Sequence, residues 1–243
     1  MPARVGISDL ADDLAAVLDD ARIDRAVITG HSMGVQVALE TYRRHPSRVV
    51  GLVLICGAPS HPLRTFRGTA TLERVLPQLQ RWILRAPRAV NRVKRALMPT
   101  RFAFAVAGRL EINPELVDVN DFMPYLEGLA RIDVRLFVAM LAEAGRHSAD
   151  DLLPFIAVPT MVVAGGRDGF TPAERSRAMA EAIPGAELVM IEDGSHTAPI
   201  ERPAFVDEAI ATFLEQRVDP AFTKGYSVVK GAHSNSEKTG LLG

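Results

Sequence analysis

The residues of this chain with the clearest capacity for chemistry form the pentapeptide Gly-His-Ser-Met-Gly at positions 30–34. A short apolar run precedes it, and the segment 35–42 that follows is predicted as a helix ending before Pro46. Gly-x-Ser-x-Gly between a strand and a helix is typical of a sharp turn that holds its serine in a strained conformation, with the hydroxyl above the sheet. Glycine suits both outer positions because the strand and the helix are expected to pass too close for a Cβ atom. The pattern predicts a nucleophilic hydroxyl at Ser32.

Two later loops carry the groups that such a serine needs. A serine hydroxyl becomes a good nucleophile when a base takes its proton, and a carboxylate must hold that base in the right tautomer. An apolar strand from position 158 leads into a glycine turn with Asp168 at its tip, and a strand at 187–192 is followed by a loop with His196. Both side chains follow the carboxyl end of a predicted strand, where open parallel sheets place their sites. The order serine, acid, histidine also fits this kind of turn.

Three motifs taken together resemble those of the α/β-hydrolase family. They are Gly-His-Ser-Met-Gly at 30–34, Gly-Gly-Arg-Asp-Gly-Phe-Thr-Pro at 165–172, and Gly-Ser-His at 194–196 with Glu-Arg-Pro at 201–203. Within that family the chain is most similar to the branch of small bacterial esterases, lactonases and non-haem haloperoxidases, over roughly residues 7–216.

The resemblance implies a role for each of these residues. Ser32 is the expected nucleophile, His196 the general base and Asp168 the acid that orients it. The backbone N–H of Met33 is an expected oxyanion donor, because the residue after the nucleophile supplies one. Asp193 lies closer to the histidine in sequence, but Asp168 is preferred because the acid of the family occupies that strand-end loop.

The resemblance also implies an α/β fold: a mostly parallel sheet with flanking helices and a helical cap insertion. Family members carry several dozen residues before this point, which supply the first strands and a His-Gly loop with a second oxyanion N–H. Nothing before Ser32 matches that loop, and the segment 8–18 is predicted instead as a helix with Ser8 as its N-cap. The chain is therefore expected to be N-terminally truncated, with one side of the strand at 26–29 unpaired. Loss of one oxyanion donor lowers turnover by on the order of 100- to 1,000-fold, so weak activity or none is expected.

The chain divides into four segments. Residues 1–60 are predicted as the N-terminal part of the α/β core and 61–151 as the helical cap. Residues 152–217 resume the α/β pattern, with helices at 172–182 and 203–216, and 218–243 are predicted as a flexible tail rich in Lys, Gly and Ser.

The cap segment shows no convincing strand. Helices are predicted at 72–84, 89–97 and 135–144, with Pro77 expected to start or break the first. Seven large apolar side chains are candidates either to line a substrate pocket or to pack the cap onto the core: Trp82, Phe102, Phe104, Phe122, Met123, Phe137 and Met140.

The stretch 81–109 is locally basic. Its cationic side chains are Arg81, Arg85, Arg88, Arg92, Lys94, Arg95, Arg101 and Arg109. Spacings of four and three would place five of these arginines on one helix face, but Pro87 interrupts the run. Two interpretations stay open: an amphipathic surface for anionic lipid or an acidic substrate, and a solvated helix face.

Composition limits the class of protein. With 243 residues, 48% of them hydrophobic, the chain can bury one substantial core. The formal net charge of −1 offers no electrostatic case for nucleic acid or for an acidic membrane surface. The single cysteine, Cys56, excludes an internal disulfide and is predicted to be buried. No apolar run is long enough to span a membrane, so stable membrane insertion is not expected. No export signal is recognised, so a cytoplasmic location is expected.

The other ionisable residues favour structural roles. His31 is expected to pack beside the serine or line the pocket, and Glu192 and Glu201 to be solvated or to cap a helix. Four further histidines lack a second ligand at metal-binding spacing: His45, His61, His147 and His233. No metal or organic cofactor is implied.

These observations predict a serine hydrolase that cleaves a small, largely apolar carboxylic ester, thioester or lactone through an acyl-enzyme. Two alternatives stay open: a non-catalytic truncated fragment or binding protein of the same fold, and an acyltransferase. The expected partner is a small-molecule substrate, and the sequence leaves the oligomeric state open.

Overall fold

The computed structural model describes residues 5–64, 71–110 and 112–218. Four parallel strands form one sheet in the order β1-β2-β3-β4. They are β1 Ala26–His31, β2 Val49–Ile55, β3 Thr160–Gly165 and β4 Glu187–Ile191. Within the described residues β1 pairs with β2 alone, so one of its sides is an edge of the sheet, as predicted.

Ten α-helices accompany the sheet in the described residues. They are α1 Ile7–Asp20, α2 Met33–Arg44, α3 Thr71–Ile83, α4 Pro87–Leu97, α5 Arg101–Leu110, α6 Val119–Arg131, α7 Val134–Arg146, α8 Ala173–Ala182, α9 Ala198–Glu201 and α10 Pro203–Arg217. Helix α2 connects β1 to β2 and α8 connects β3 to β4, because parallel neighbours need a crossover. The five helices α3–α7 lie between β2 and β3, and we call residues 71–146 the helical layer. None of the described helices is long and apolar enough to cross a membrane.

The central strands are buried on both faces of the sheet. Alternate side chains of a strand point to opposite faces, so Leu54 joins one apolar cluster with Leu39 and Met179, while Val53 joins a second cluster with Phe213. A third cluster holds the helical layer together around side chains of α6. This double burial explains why β2 is an almost continuous apolar run rather than an alternating one.

The predicted helices of the helical layer match α3, α4 and α7, and no strand of the sheet lies in this layer. Helices α5 and α6 were not predicted. The alternation of phenylalanine and alanine in α5 has a strand-like period, and α6 contains Pro124. Pro77 lies inside α3, so the expectation that it starts or breaks this helix is wrong: its neighbour Leu76 is buried, and α3 packs on α7. The break before Pro87 is confirmed, since this proline is the first residue of α4.

Two further corrections concern the ends of the described chain. Helix α1 begins at Ile7 with Gly6 as its N-cap, so Ser8 lies inside the helix. The Gly6 N–H donates to the Asp9 carboxylate at 2.8 Å, so a side chain of the first helical turn accepts from the cap residue, and no side chain at the N-cap position accepts from the helix. Val218, predicted as the start of a flexible tail, is buried against the α10 side of the sheet. The remainder of that segment, 219–243, lies outside the described residues.

Candidate active site

The backbone turn at Ser32 is sharp and strained. Ser32 adopts φ 57° and ψ −120° between the end of β1 and the start of α2, a region that non-glycine residues rarely occupy. A Cβ atom on Gly30 would lie 2.2 Å from the carbonyl oxygen of Gly34, so the close approach requires glycine at position 30. A Cβ on Gly34 would meet nothing within 4 Å, so the expected crowding at this second position is wrong.

The structure brings Ser32, His196 and Asp168 into one hydrogen-bonded chain. The Ser32 Oγ lies 2.8 Å from Nε2 of His196, and Nδ1 of His196 lies 2.9 Å from Oδ2 of Asp168. A carboxylate only accepts, so Nδ1–H of His196 donates to Asp168 and Nε2 can accept the Ser32 hydroxyl proton. His196 and Asp168 are only 4% and 6% exposed. The geometry allows a proton to pass from the serine to the histidine.

The carboxylate of Asp168 is held by its own loop. Its Oδ1 accepts the backbone N–H groups of Phe170 and Thr171 at 2.7 and 2.8 Å, and its Oδ2 accepts the Thr171 hydroxyl at 2.8 Å. These bonds fix the orientation of the carboxylate towards the histidine. The role of Thr171 was not predicted; the signal available was a hydroxyl three residues after the acid, at the spacing of a side-chain turn.

Asp193 does not contact the histidine. It pairs with Arg202 at the surface, and this hydrogen bond lowers the pKa of the Asp193 carboxyl. The preference for Asp168 therefore agrees with the structure.

Glu201, the last residue of α9, is buried beside the His196 loop, which corrects the expectation of a solvated or capping side chain. It is 3% exposed and accepts the backbone N–H of Ser195 at 2.7 Å and that of Asn113 at 2.8 Å. The hydroxyls of Ser195 and Thr197 also donate to it. Asn113 comes from the chain that connects α5 to α6, so one carboxylate ties the His196 loop to the helical layer. Glu192, by contrast, is exposed as expected.

Two side chains beside the serine are structural. His31 donates from Nε2 to the carbonyl oxygen of His196 at 2.8 Å, and burial lowers its pKa, which keeps the ring neutral. It packs against the site and does not line the cavity described below. Cys56 is completely buried, as predicted, and burial raises the pKa of its thiol to about 12. A thiol with that pKa is not a nucleophile at neutral pH.

A cavity of about 680 Å³ opens beside Ser32 and lies largely under the helical layer. This volume lies in the usual range for small-molecule sites. Four of the seven proposed apolar side chains line it: Phe102, Phe122, Phe137 and Met140. Three do not, because they face other surroundings: Trp82, Phe104 and Met123. The ionisable side chains among its walls are His196, Lys94 and Tyr125.

Met33 also borders the cavity and is the first residue of α2. The N–H groups of the first helical turn have no partner within their own helix. The Met33 N–H is therefore an available donor next to the Ser32 hydroxyl.

The remaining histidines of the described chain do not gather metal ligands. His45 and His147 contact carboxylates of the α1–α2 region, and His61 donates to a backbone carbonyl. Within residues 5–64, 71–110 and 112–218 no group of three potential ligands could hold a metal ion. His233 lies outside the described residues.

Residues 2–203 match the sequence model of the α/β hydrolase fold family, and the chain belongs to that family. A curated relative is RutD of Klebsiella pneumoniae strain 342, named as a candidate carbamate hydrolase. It is 28% identical over 202 residues, which are 82% of this chain and 70% of RutD. YugF of Bacillus subtilis strain 168, named as an uncharacterized hydrolase, is 27% identical over 215 residues, or 85% of this chain and 71% of YugF.

Solved structures show the same fold. A thermophilic esterase from Thermogutta terrifontis superposes with a TM-score of 0.62 at 26% identity, covering 89% of this chain and 74% of the esterase. The enol-lactonase from Burkholderia xenovorans LB400 superposes with a TM-score of 0.67 at 22% identity, covering 88% of this chain and 74% of the lactonase. At 22% identity the second likeness concerns the fold alone.

Proposed function

We propose that this chain is a serine hydrolase that cleaves a small, largely apolar carboxylic ester, thioester or lactone through an acyl-enzyme. The observation that carries the proposal is the hydrogen-bonded chain from Ser32 through His196 to Asp168, which opens onto an apolar cavity. Relatives named as an esterase and as a candidate carbamate hydrolase support a hydrolytic reaction at a carbonyl group.

In the first half of the proposed reaction, the Ser32 oxygen attacks the substrate carbonyl carbon while Nε2 of His196 takes the hydroxyl proton. Asp168 stabilises the imidazolium that results. The bond to the leaving group then breaks, and His196 returns the proton to the departing alcohol, thiol or lactone oxygen. In the second half, His196 deprotonates water, which attacks the acyl-enzyme and releases the acid together with free Ser32.

The negatively charged oxygen of each tetrahedral intermediate must be stabilised by a hydrogen-bond donor at the cavity wall. We assign this role to the Met33 N–H, which lies in the first turn of α2, where the helix dipole also favours negative charge. The helical layer acts in this proposal as a cap, because its side chains form most of the cavity wall and exclude water from the reacting atoms.

The apolar walls select the substrate. A cavity lined by phenylalanine, leucine and methionine side chains binds hydrocarbon groups and offers few partners to polar ones. An acyltransferase differs from this hydrolase only in the nucleophile that releases the acyl group. Product analysis with a competing alcohol distinguishes the two.

The test combines turnover with covalent labelling. We expect the purified chain to hydrolyse p-nitrophenyl butyrate and to gain one adduct mass on reaction with a fluorophosphonate. In Ser32→Ala we expect kcat to fall by about 10⁴-fold or more, with the adduct lost. Ser8→Ala in α1 is the matched control and should behave as the unmodified chain does. Retention of the rate or the adduct in Ser32→Ala would refute Ser32 as the nucleophile, and an inert unmodified chain would favour a non-catalytic binding role.

A further inference from the structure

The charge of the molecule is distributed very unevenly. Residues 71–110, which form α3, α4 and α5, contain nine of the 28 basic residues and one of the 29 acidic residues. This stretch therefore carries a formal charge of +8, while the rest of the chain carries −9. A net charge of −1 conceals this separation, and exposed cationic side chains attract anionic partners.

Helix α4 presents the densest part of this surface. None of its eleven residues is buried, and it separates charged from apolar side chains more strongly than any other described helix. Arg88, Arg92 and Arg95 are all exposed and, at spacings of four and three, share one face. None of the three forms an ion pair within the described part of the chain. We call these three side chains the arginine face.

Large apolar side chains are exposed in the same stretch. Eight of the fourteen exposed large apolar residues of the described chain lie between 71 and 110: Val75, Leu79, Trp82, Leu84, Val93, Leu97, Phe102 and Val106. Phe102 is 71% exposed and Trp82 is 68% exposed. The Arg85 guanidinium lies 4.7 Å from the centre of the Trp82 ring, which couples a cation to an exposed aromatic side chain.

This surface is continuous with the candidate active site. Leu97 of α4 and Phe102 and Val106 of α5 are exposed to solvent and also line the cavity beside Ser32. Side chains of α4 and α5 that line the cavity therefore also reach the outside of the molecule.

The partner must offer negative charge and an apolar interior together. An anionic phospholipid bilayer does so, because its phosphate groups lie directly above its acyl chains. Arginine side chains can reach the phosphates while tryptophan and phenylalanine settle at the interface. A nucleic acid backbone would match the charge but leave the exposed leucine, valine and phenylalanine side chains in water.

We propose that α3, α4 and α5 dock the protein peripherally onto anionic phospholipid bilayers, with the arginine face at the phosphates and the exposed apolar side chains at the interface. The docking itself does not depend on the proposed function. A consequence that does rest on the proposed function is that the docked cavity takes its ester from the bilayer rather than from water.

The test uses the Ser32→Ala chain, so that ester hydrolysis cannot alter the lipid. Vesicles of phosphatidylcholine with 30% phosphatidylglycerol should sediment the protein, and vesicles of phosphatidylcholine alone should do so weakly. Replacing the arginine face by Arg88→Gln, Arg92→Gln and Arg95→Gln should weaken binding by about 100-fold, because each cation near an anionic surface contributes roughly fivefold. The control removes three exposed arginines outside residues 71–110, by Arg22→Gln, Arg146→Gln and Arg177→Gln, and should keep most of the affinity.

Trp82 reports which face meets the lipid, because it is the single tryptophan of the chain. Its emission should shift to shorter wavelength on anionic vesicles and should be quenched by brominated phosphatidylcholine. Three results would overturn the proposal: no binding to anionic vesicles, equal loss in the two triple variants, or binding without a change in Trp82 emission. Vesicle-independent self-association that Phe102→Ser abolishes, without lipid binding, would instead identify the surface as a contact between copies of the chain.

Activity on a water-soluble ester distinguishes membrane docking from the proposed hydrolase function. The arginine face does not line the cavity. Its triple variant, with Ser32 intact, should therefore hydrolyse p-nitrophenyl acetate at the unmodified rate while losing activity on esters held in anionic vesicles. Loss of activity on the soluble ester would show that the arginines act on the site rather than on the membrane.

Discussion

The loop that carries His196 and the helix α4 use charged side chains in opposite ways. Beside the loop, Glu201 of α9 is buried and accepts hydrogen bonds from two backbone N–H groups and two hydroxyls. On α4 the arginine face is exposed and has no anionic partner in the described chain. Arginines on the surface of the α/β part differ from both groups, because Arg44 and Arg48 form ion pairs with carboxylates of α1.

The comparison distinguishes charges that stabilise a local structure from charges that are available to bind another molecule. A buried charge must find its partners within the protein, because burying it without them costs several kcal/mol. Such a group holds a loop in one position, which a catalytic histidine requires. An exposed cation without a partner contributes little to the fold. Such a cation is available to bind an anionic group of another molecule.

The largest expected effect concerns Asp168. Asp168→Asn should lower kcat for p-nitrophenyl butyrate by about 10⁴-fold, because an amide no longer holds His196 in the tautomer that accepts the serine proton. Asp193→Asn is the control. Asp193 pairs with Arg202 and does not contact the histidine, so its variant should keep nearly the full rate. An equal loss in both variants would contradict the assignment of Asp168.

The two glycines of the Ser32 turn should respond differently to the same change. Gly30→Ala should lower the free energy of unfolding by about 3 kcal/mol, since its Cβ would lie 2.2 Å from a backbone oxygen. Gly34→Ala should leave it unchanged or raise it by up to about 1 kcal/mol, because the site is open and alanine favours a helix. Urea unfolding measures the free energy of unfolding of each variant. Equal destabilisation by the two substitutions would contradict the finding that the turn is crowded at position 30 and open at position 34.

Glu201→Gln should cost about 2 kcal/mol in the free energy of unfolding and should lower kcat as well. An amide NH₂ at this position would face an N–H or hydroxyl donor and leave a buried group unsatisfied. The matched control is Glu192→Gln, a change at an exposed glutamate nine residues earlier, which should alter neither quantity. If both variants behave alike in urea unfolding and turnover, Glu201 does not position the His196 loop.

The smallest effect is expected on α4. Arg92→Gln should change the free energy of unfolding by no more than about 0.5 kcal/mol, because the side chain is exposed and forms no ion pair in the described chain. Thermal unfolding monitored by circular dichroism checks this. A loss as large as that in Glu201→Gln would mean that the arginine face serves the fold, and the contrast between the two regions would fail.

Most of the sheet and the site followed from local sequence. The strand predicted at 26–29 lies within β1, and the loops that carry Asp168 and His196 lie where the predicted strands end. These features are local, because an apolar run followed by a glycine turn specifies a buried strand and its exit within about ten residues. The N-cap of α1 was missed although it too is local, because the helix begins one residue before Ser8 and the Asp9 carboxylate accepts the N–H of the cap residue Gly6.

The environment of Glu201 did not follow from the sequence. Its partner Asn113 is 88 positions away, and nothing near either residue indicates that they meet. The same limit applies to the cavity wall: Phe102 faces it and Phe104 does not, although the two lie on one turn of α5. Which of two similar side chains faces a cavity depends on how the helix packs against others.

The sequence by itself determined which residues are candidates for the chemistry and at which strand ends they lie, because turns, strands and nucleophile motifs are encoded over short stretches of chain. The tertiary structure alone decided that Glu201 is buried beside the histidine loop and that the arginines of α4 stay exposed and without anionic partners. Burial and pairing of a charge depend on groups brought from distant parts of the chain, and those groups meet only when the helical layer packs against the sheet.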